Sequence, residues 1–163
     1  MPTYYNLQSY LTDAGGVPLV IDISNKSGNY LYANQPTGDD SQWWTMIPDG
    51  SSGYYFIQSK WKNSDGNNVV VDIHGASSNM PIPNGTLLDA YPQKSKDYDN
   101  QLWKPVAEVT SPGYSFYQSK LTDEAGNPVV IDVQGGVNAP KTPIDAWPQK
   151  SSNYQNQLWT LAG

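Results

Sequence analysis

The sequence predicts an all-β fold in which one structural unit is repeated three times. Short apolar runs are separated by 14 Gly and 13 Pro residues, a composition typical of short strands joined by tight turns. Helical periodicity is absent throughout the chain. The same three motifs also occur in the same order in three successive segments. Self-similarity of this kind indicates one supersecondary unit used three times.

The repeat is recognised by its three short motifs. A Gln-Ser pair opens each copy, an apolar run that ends in Asp follows, and Gln-x-Trp closes the copy. The Gln-Ser pairs lie at 8–9, 58–59 and 118–119, the aspartates are Asp22, Asp72 and Asp132, and the closing tryptophans are Trp44, Trp103 and Trp159. Gly-, Ser- and Pro-rich joints divide the chain into copies of about 1–53, 54–113 and 114–163. We therefore expect a single domain, residues 1–163.

Each copy contains four predicted strands. In the second copy they span 54–60, 69–73, 87–91 and 101–106. Four short strands, three times over, predict a β-trefoil of three four-stranded repeats with pseudo-threefold symmetry. A small propeller is a weaker alternative because three blades would not close a ring, and a sandwich does not require a threefold sequence. The closing tryptophans are predicted to be core residues, since each repeat of a closed fold needs a large buried side chain at the same place.

Composition excludes several classes of partner. The chain carries a net charge of −6 and has a pI near 4.4. Binding to nucleic acid or to anionic membrane surfaces depends on Lys and Arg, so neither partner is expected. No apolar stretch approaches the roughly 20 residues of a membrane span, so membrane insertion is not expected. The absence of cysteine excludes disulfides and thiolate chemistry.

The N-terminal residues 1–6 lack the basic stretch and apolar run of a signal peptide. We expect a cytoplasmic protein, or one exported without a conventional signal peptide. The tripeptides at 25–27 and 84–86 match the N-glycosylation pattern and are expected to be coincidences in such a protein. Whether the chain forms a homodimer is left open by the sequence.

Acidic and aromatic side chains recur at equivalent strand positions in the second and third copies. Side chains two residues apart share a face of a strand, so Asp72 lies with His74, and Asp89 lies with Tyr91. The equivalent residues of the third copy are Asp132, Gln134, Asp145 and Trp147. A proline follows each ring, ends the strand and leaves the ring near a rim. These faces are predicted to point outward, although the strand-end aspartates could instead merely accept hydrogen bonds from turn N–H groups.

Groups of these types can bind a sugar. An exposed aromatic ring packs on the C–H face of a pyranose and buries apolar area. A carboxylate accepts charge-assisted hydrogen bonds from two neighbouring hydroxyls, and a side-chain amide supplies both a donor and an acceptor. One ring, one carboxylate and one amide therefore form a minimal sugar site.

Two longer strings in the second and third copies resemble those of a known family. The segment 91–95 (Tyr-Pro-Gln-Lys-Ser) is followed by 100–103 (Asn-Gln-Leu-Trp), and both segments recur at 147–151 and 156–159. Together with the threefold Gln-x-Trp, these strings resemble the ricin B-chain-like (R-type) lectins, which are β-trefoils. The resemblance implies sites that bind terminal galactose or N-acetylgalactosamine on glycans and perform no chemistry. It implies the ligands Asp72, Tyr91 and Asn100 in the second copy, and Asp132, Trp147 and Asn156 in the third.

The neighbouring polar and glycine residues complete the two candidate sites. Gly75 and Gly135 follow the aspartate strand and are expected to allow a turn whose backbone lies close to the sugar. The full set of candidate carbohydrate-binding residues is Asp72, His74, Gly75, Asp89, Tyr91, Asn100 and Gln101 in the second copy, and Asp132, Gln134, Gly135, Asp145, Trp147, Asn156 and Gln157 in the third.

The first copy departs from this pattern. Asp22 and Gln42 are kept, and Tyr32 lies 12 residues before Trp44, as Tyr91 lies 12 residues before Trp103. Ser41, however, stands in place of the asparagine, and the Pro-Gln-Lys-Ser string is absent. We expect a first site of Asp22, Tyr32 and Gln42 that is weaker than the other two, or inactive.

Enzymatic functions are disfavoured. His74 is the single histidine and occurs in one copy only, which argues against a Ser-His or Cys-His pair. No cofactor or metal site is expected, although calcium binding by the aspartates stays a weak alternative. The main rival function is a trefoil protease inhibitor that acts through the irregular loop 76–86. A binding module of a larger enzyme is a further alternative.

Overall fold

A computed structural model describes residues 1–24 and 28–163; the tripeptide at 25–27 lies outside the described residues. In the described part of the chain, twelve strands form three groups of four. The first group is β1 (Asn6–Thr12), β2 (Pro18–Ile23), β3 (Leu31–Asn34) and β4 (Trp44–Pro48). The second is β5 (Tyr55–Lys62), β6 (Asn68–Ile73), β7 (Thr86–Pro92) and β8 (Trp103–Ala107). The third is β9 (Ser115–Thr122), β10 (Pro128–Val133), β11 (Thr142–Pro148) and β12 (Trp159–Ala162).

Six strands, the first and last of each group, close into a barrel. The antiparallel pairs run β4–β5, β5–β8, β8–β9, β9–β12 and β12–β1. A bridge between Tyr5 and Trp44 joins β1 to β4 and completes the ring. Closure removes the unpaired strand edges that an open sheet would expose.

The remaining six strands form three hairpins that cover one end of the barrel. Each hairpin pairs the second and third strand of one group: β2–β3, β6–β7 and β10–β11. Neighbouring hairpins are joined by the pairs β11–β3 and β11–β7 and by a bridge from Tyr30 to Asp89. The all-β class and the pseudo-threefold β-trefoil are thus confirmed. Among the described residues, no helix is long and apolar enough to cross a membrane.

The closing tryptophans occupy the core, as predicted. Trp44, Trp103 and Trp159 are at most 1% exposed. A buried indole N–H needs an acceptor, and each ring finds one on the aspartate-bearing strand of its own copy. The acceptors are the carbonyl oxygens of Ile21 (3.1 Å), Val71 (3.0 Å) and Ile131 (2.9 Å).

The Gln-Ser motif has a structural role in every copy. The register between the first and second strand of each group shifts just after this motif. The buried hydroxyl oxygens of Ser9, Ser59 and Ser119 each accept the backbone N–H two residues further on, at 3.0 Å. The serine hydroxyl thereby provides a hydrogen-bond acceptor for a backbone N–H group close to the register shift.

Four short 3₁₀ helices link the strands in the described residues. They span Asp40–Gln42, Asp99–Gln101, Gln134–Gly136 and Gln155–Gln157. Three of them end on the glutamine of Gln-x-Trp. The prediction that a strand begins at Gln101 is therefore wrong, because β8 begins only at Trp103.

Candidate functional site

The aspartate at the end of β6 anchors the Gln-x-Trp segment of its own copy. One carboxylate oxygen of Asp72, Oδ2, accepts hydrogen bonds from Asn100 Nδ2 and Gln101 Nε2, both at 2.9 Å. In the third copy Asp132 Oδ2 accepts from Asn156 at 3.0 Å and from Gln157 at 2.8 Å. These aspartates therefore bind side-chain amides, and the alternative in which they merely satisfy turn N–H groups is wrong.

The two glutamines are structural. Gln101 is fully buried, donates to the carbonyl oxygen of Pro92 at 3.1 Å and accepts from the backbone N–H of Lys94 at 2.9 Å. Gln157 makes the same bonds to Pro148 (3.0 Å) and Lys150 (2.9 Å). Their polar atoms are buried and bonded within the protein, so the predicted contact of Gln101 and Gln157 with the ligand stays a prediction beside this structural role.

The two asparagines are buried as well. Asn100 is 0% exposed, its Nδ2 also donates to the carbonyl oxygen of Ile73 (3.2 Å), and its Oδ1 accepts from Lys94 Nζ (2.8 Å). Asn156 is 3% exposed and bonds to Val133 (2.9 Å) and Lys150 Nζ (3.0 Å) in the same way. Their amides hold a lysine in place, and the role of Asn100 and Asn156 as direct ligands stays a prediction.

That lysine was missed by the site prediction. Lys94 Nζ also donates to the carbonyl oxygen of Ala76 at 3.2 Å, which fixes the ammonium group beside the carboxylates. The signal was present in the sequence as the Pro-Gln-Lys-Ser string, which occurs only in the second and third copies. The backbone N–H of Lys94 donates to Gln101 Oε1, and in the first copy the backbone N–H of Thr37 donates to Gln42 Oε1. Thr37 is therefore the first-copy equivalent of Lys94.

Each site contains a pair of buried carboxyl groups. Asp72 on β6 lies opposite Asp89 on β7, and Asp132 on β10 lies opposite Asp145 on β11. All four residues are 2–4% exposed, so the prediction that these carboxylates face outward is wrong. The 3₁₀ helix before each closing tryptophan packs on this strand face, and its amides bond to Asp72 and Asp132.

Burial changes the acidity of these pairs. Desolvation raises the pKa of Asp72 to about 7 and that of Asp145 to about 8, and the charge of the neighbouring carboxylate adds to both shifts. Desolvation also raises the pKa values of Asp89 and Asp132. The two residues of a pair lie opposite each other, and each carboxyl group influences the pKa of its partner. Because both pKa values of a pair are raised, each pair is expected to retain a proton at a pH at which free aspartates are ionised.

One oxygen of each pair lacks a donor from the protein. Asp89 Oδ1 and Asp145 Oδ1 are buried, and no N–H or O–H group of the described residues donates to them. They are the same atom at the same position in two repeats. Such atoms are rare in native proteins, and two donors fit here: the proton retained by the pair, or a hydroxyl group of a ligand.

Aromatic rings stand beside both pairs. Tyr91 is 49% exposed and Trp147 is 39% exposed, in agreement with the expected rim position. The residues around the second pair enclose a shallow cavity of about 260 Å³, lined by Asp72, His74, Gly75, Ala76, Asp89, Tyr91 and Lys94. The structure thus brings five of the seven second-copy candidates around one cavity.

The residues that follow β6 and β10 complete the two sites. Gly75 and Gly135 have φ values of +71° and +65°, which supports the predicted turn because glycine adopts this conformation without strain. His74 Nδ1 lies 2.7 Å from Asp89 Oδ2. Gln134 takes the same position in the third copy, where its amide lies beside Asp145 and lowers the pKa of that carboxyl group. The second and third sites therefore share one plan and differ in two side chains, Tyr91 against Trp147 and His74 against Gln134.

In the first copy, the pairing of β2 with β3 differs from the one predicted by counting residues back from Trp44. Tyr32 lies opposite Asp22, which is the position of Asp89 opposite Asp72. Asn34 lies opposite Val20, which is the position of Tyr91 opposite Val70. The equivalence of Tyr32 with Tyr91 is therefore wrong, because the connection to the closing tryptophan is two residues shorter in this copy.

The carboxylate of Asp22 is saturated by its own copy. It accepts from Asn34 Nδ2 (3.0 Å), Ser41 Oγ (2.7 Å) and Gln42 Nε2 (2.9 Å). Burial and the neighbouring Asp22 carboxylate raise the pKa of the Tyr32 phenol. The first copy keeps the framework of the repeat but has no carboxylate pair and carries Asn34 at the ring position, so a weaker or inactive first site stays the prediction.

The described residues offer little for a metal ion. No group of three or more His, Asp or Glu side chains there is arranged to hold a metal ion. The carboxylate pairs face a lysine ammonium group and buried amides.

Known proteins share this architecture. No protein-family model matches the sequence, and no curated protein matches it. ThreeFoil, a designed protein with threefold symmetry, is 21% identical, with 98% of each chain aligned and a TM-score of 0.72. A ricin B-like lectin from Macrolepiota procera, solved in complex with lactose, is 18% identical over 98% of this chain and 94% of the lectin, with a TM-score of 0.65. The chain has the β-trefoil fold of the ricin B-like lectins.

The same fold occurs as a part of larger proteins. An exo-β-1,3-galactanase from Clostridium thermocellum is 22% identical over 96% of this chain, with a TM-score of 0.68. The trefoil spans only 30% of that enzyme. At these levels of identity the similarity establishes the fold, and the function has to be argued from the site.

Proposed function

We propose that the protein is a lectin that binds sugars through two sites, one in the second repeat and one in the third, and performs no catalysis. The observation that carries the proposal is a repeated arrangement. An exposed ring, Tyr91 or Trp147, stands beside a buried carboxylate pair. In each pair one oxygen, on Asp89 or Asp145, has no protein N–H or O–H donor.

The groups in the second site match the chemistry of a pyranose. Tyr91 offers an apolar face to the C–H groups of the sugar. Asp89 lines the cavity, and its carboxylate is the proposed acceptor for a hydrogen bond from a sugar hydroxyl. Lys94 Nζ has three donors and uses two of them on Ala76 and Asn100, so one N–H is left for a ring or hydroxyl oxygen. Buried amides hold the polar groups in place, which lowers the ordering cost of binding.

Galactose-type sugars are the proposed ligands. An axial hydroxyl at carbon 4 leaves a continuous C–H face on carbons 3 to 5, which suits stacking on a single ring. The resemblance to ricin-type lectins implies terminal galactose or N-acetylgalactosamine. The lectin of Macrolepiota procera, which shares the fold, was solved with lactose bound, and lactose ends in galactose.

A hydrolytic role fits the site less well. Glycosidases place a sugar bond between two carboxyl groups that are at least about 5 Å apart. Here the two aspartates of a pair lie directly opposite each other on neighbouring strands, and both are buried, which leaves no room for a glycosidic bond between them.

The inhibitor alternative depends on loop 76–86, which is held at its centre. Ile82 is 0% exposed and its N–H donates to the carbonyl oxygen of Thr122 at 2.9 Å. Gly85 N–H donates to Ala146 at 2.9 Å. The loop thus packs on the third repeat, whereas a protease inhibitor needs a segment that projects into an active site.

The proposal is tested by removing both rings. Tyr91→Ala with Trp147→Ala should abolish binding to a glycan array and to immobilised galactose, while thermal unfolding stays close to that of the parent because both rings are exposed. Tyr10→Ala removes an equally exposed ring on the barrel and should bind as the parent does. Unchanged binding in the double variant would disprove the sites. Inhibition of a protease by a parent protein that binds no glycan would favour the inhibitor function instead.

A further inference from the structure

We infer that the two sites select different sugars, because a residue of the preceding repeat, Tyr30, fixes His74 in the second site and has no counterpart in the third. This inference rests on the proposed sugar-binding function. It assigns His74 and Gln134 as the residues that determine specificity, and Tyr30 as the positioning residue for His74.

Each carboxylate pair lies against the preceding repeat. Tyr30 of the first repeat bridges Asp89, and the N–H of Ala90 donates to the carbonyl oxygen of Asn29 at 2.9 Å. By the same pairing, Leu87 of the second repeat lies opposite Asp145 of the third. Tyr30 and Leu87 are therefore equivalent positions, and one carries a hydroxyl group where the other is aliphatic.

Both ring nitrogens of His74 are engaged. Nδ1 lies 2.7 Å from Asp89 Oδ2 and Nε2 lies 3.3 Å from the hydroxyl of Tyr30. A carboxyl group and a phenol hydroxyl can each donate or accept, so both nitrogens have a protein partner in either neutral tautomer of the ring. The two rings also pack with centroids 5.1 Å apart. The His74 side chain is 51% exposed and presents to the cavity the face and C–H edge of a fixed ring.

The third site offers different groups at this position. Gln134 lies beside Asp145 and is exposed, so its amide is accessible to a ligand. Leu87 cannot hydrogen-bond to it. The backbone at Gly85 closes in on the site instead, since a Cβ atom there would lie 3.7 Å from both Trp147 Cζ3 and Asp145 Oδ2. The third site therefore combines a larger ring with an accessible amide.

These differences favour different substituents on the sugar. An accessible amide can exchange hydrogen bonds with an acetamido group, whose methyl can pack on Trp147. A fixed imidazole without a free N–H or lone pair offers no such bond. The third site is therefore expected to prefer N-acetylgalactosamine over galactose, by about three- to tenfold for one neutral hydrogen bond. The second site is expected to bind the two sugars equally or to prefer galactose.

Single-site variants separate the two preferences. Trp147→Ala leaves only the second site and Tyr91→Ala leaves only the third. Each is titrated calorimetrically with methyl galactoside and with methyl N-acetylgalactosaminide. His74→Gln in the Trp147→Ala background should shift the preference towards the acetamido sugar, and Gln134→His in the Tyr91→Ala background should shift it away. Equal preference ratios in both single-site variants, or ratios that the exchanges leave unchanged, would overturn the inference. If neither variant binds any sugar, the proposed function fails as a whole.

The positioning role of Tyr30 has its own measurement. His74 is the only histidine, so its imidazole gives isolated ¹⁵N and ring-proton NMR signals. Tyr30→Phe keeps the packed ring and should shift the Nε2 signal while leaving the sugar affinity of the third site unchanged. Galactose should shift the His74 signals in Trp147→Ala and not in Tyr91→Ala. If neither galactose nor Tyr30→Phe shifts the His74 signals, the positioning role of Tyr30 and the place of His74 in the second site are contradicted.

Discussion

The buried aspartates are the residues on which both sites depend. Two carboxyl groups placed side by side away from water cost free energy unless a proton or a cation compensates them. In this protein the raised pKa values favour a proton on each pair, the ammonium group of Lys94 or Lys150 offsets part of the charge, and amides fix one oxygen of Asp72 and Asp132. The arrangement keeps strong acceptors at the base of a shallow cavity.

The raised pKa values predict the pH dependence of stability. The ordinary pKa of these carboxyl groups is 3.8, and in the folded protein it rises to about 7 in Asp72 and about 8 in Asp145. Between these pH values the folded state still binds protons that the unfolded state has already lost. Stability should therefore fall as pH rises from about 4 to about 8. Hydrogen bonds lower the pKa values of Asp13 and Asp123. The stability that these two carboxylates contribute is therefore lost only in stronger acid.

Thermal unfolding at pH 5, 6.5 and 8.5 measures this effect. We expect the highest Tm near pH 5 and a loss of at least about 1 kcal/mol by pH 8.5, or roughly 2–4 °C. Asp89→Asn with Asp145→Asn removes one ionisable group from each pair and should flatten the alkaline decline. Asp65→Asn, an exposed turn residue, should leave it unchanged. A Tm that rises steadily from pH 5 to 8.5 would contradict the retention of a proton by each pair.

At the scale of elements, the 3₁₀ helix and tryptophan of Gln-x-Trp connect three parts of each repeat. Gln101 joins the end of β6 through Asp72, the end of β7 through Pro92, and the segment that carries Lys94. The same bonds occur at Gln42 in the first repeat, where there is no carboxylate pair. The motif is thus a device of the fold that also positions a site where the other residues are present.

Substitution of the two glutamines separates these roles. Gln101→Met and Gln42→Met each leave buried groups unpaired and should each lower the free energy of unfolding by about 2–4 kcal/mol. Only Gln101→Met should also weaken sugar binding, because Lys94 loses its support. Chemical denaturation and calorimetry on the two variants give the comparison. Equal loss of sugar affinity in both would show that the motif affects binding only through global stability.

The register of the hairpins shows what could not be predicted at this scale. Tyr32 and Tyr91 are both 12 residues from their closing tryptophans, yet the ladders place them two positions apart. A shift of two residues keeps every side chain on the same face, so the hydrophobic pattern does not reveal it. Only the pairing of Asp22 with Tyr32 does.

At the scale of the whole molecule, the barrel and its three hairpins hold two equivalent positions one third of a turn apart. If both proposed sites bind sugar, one rigid body would engage two glycans at once, and this would raise avidity by roughly 10²–10⁴ where the geometry permits. The third equivalent position, in the first repeat, is occupied by the hydrogen bonds of Asp22.

This geometry predicts cross-linking that needs both sites. The parent protein should precipitate a galactose-terminated glycoprotein, whereas Tyr91→Ala and Trp147→Ala should each bind a monovalent sugar and fail to precipitate. Light scattering reports the precipitation, and size-exclusion chromatography of each variant reports the oligomeric state. Precipitation by a monomeric single-site variant would mean that a further site exists.

The sequence alone determined the architecture, because each copy must bury the same apolar strand and the same tryptophan, and repetition of that demand is visible in the chain. It also identified Tyr91 and Trp147 as exposed rings. The burial of Asp72, Asn100 and Gln101 was decided by the tertiary structure, since a 3₁₀ helix of the same repeat covers a strand face that alternation alone marks as outward. The contact of Tyr30 with His74 joins two repeats across 44 positions, and only the closure of the hairpins brings them together.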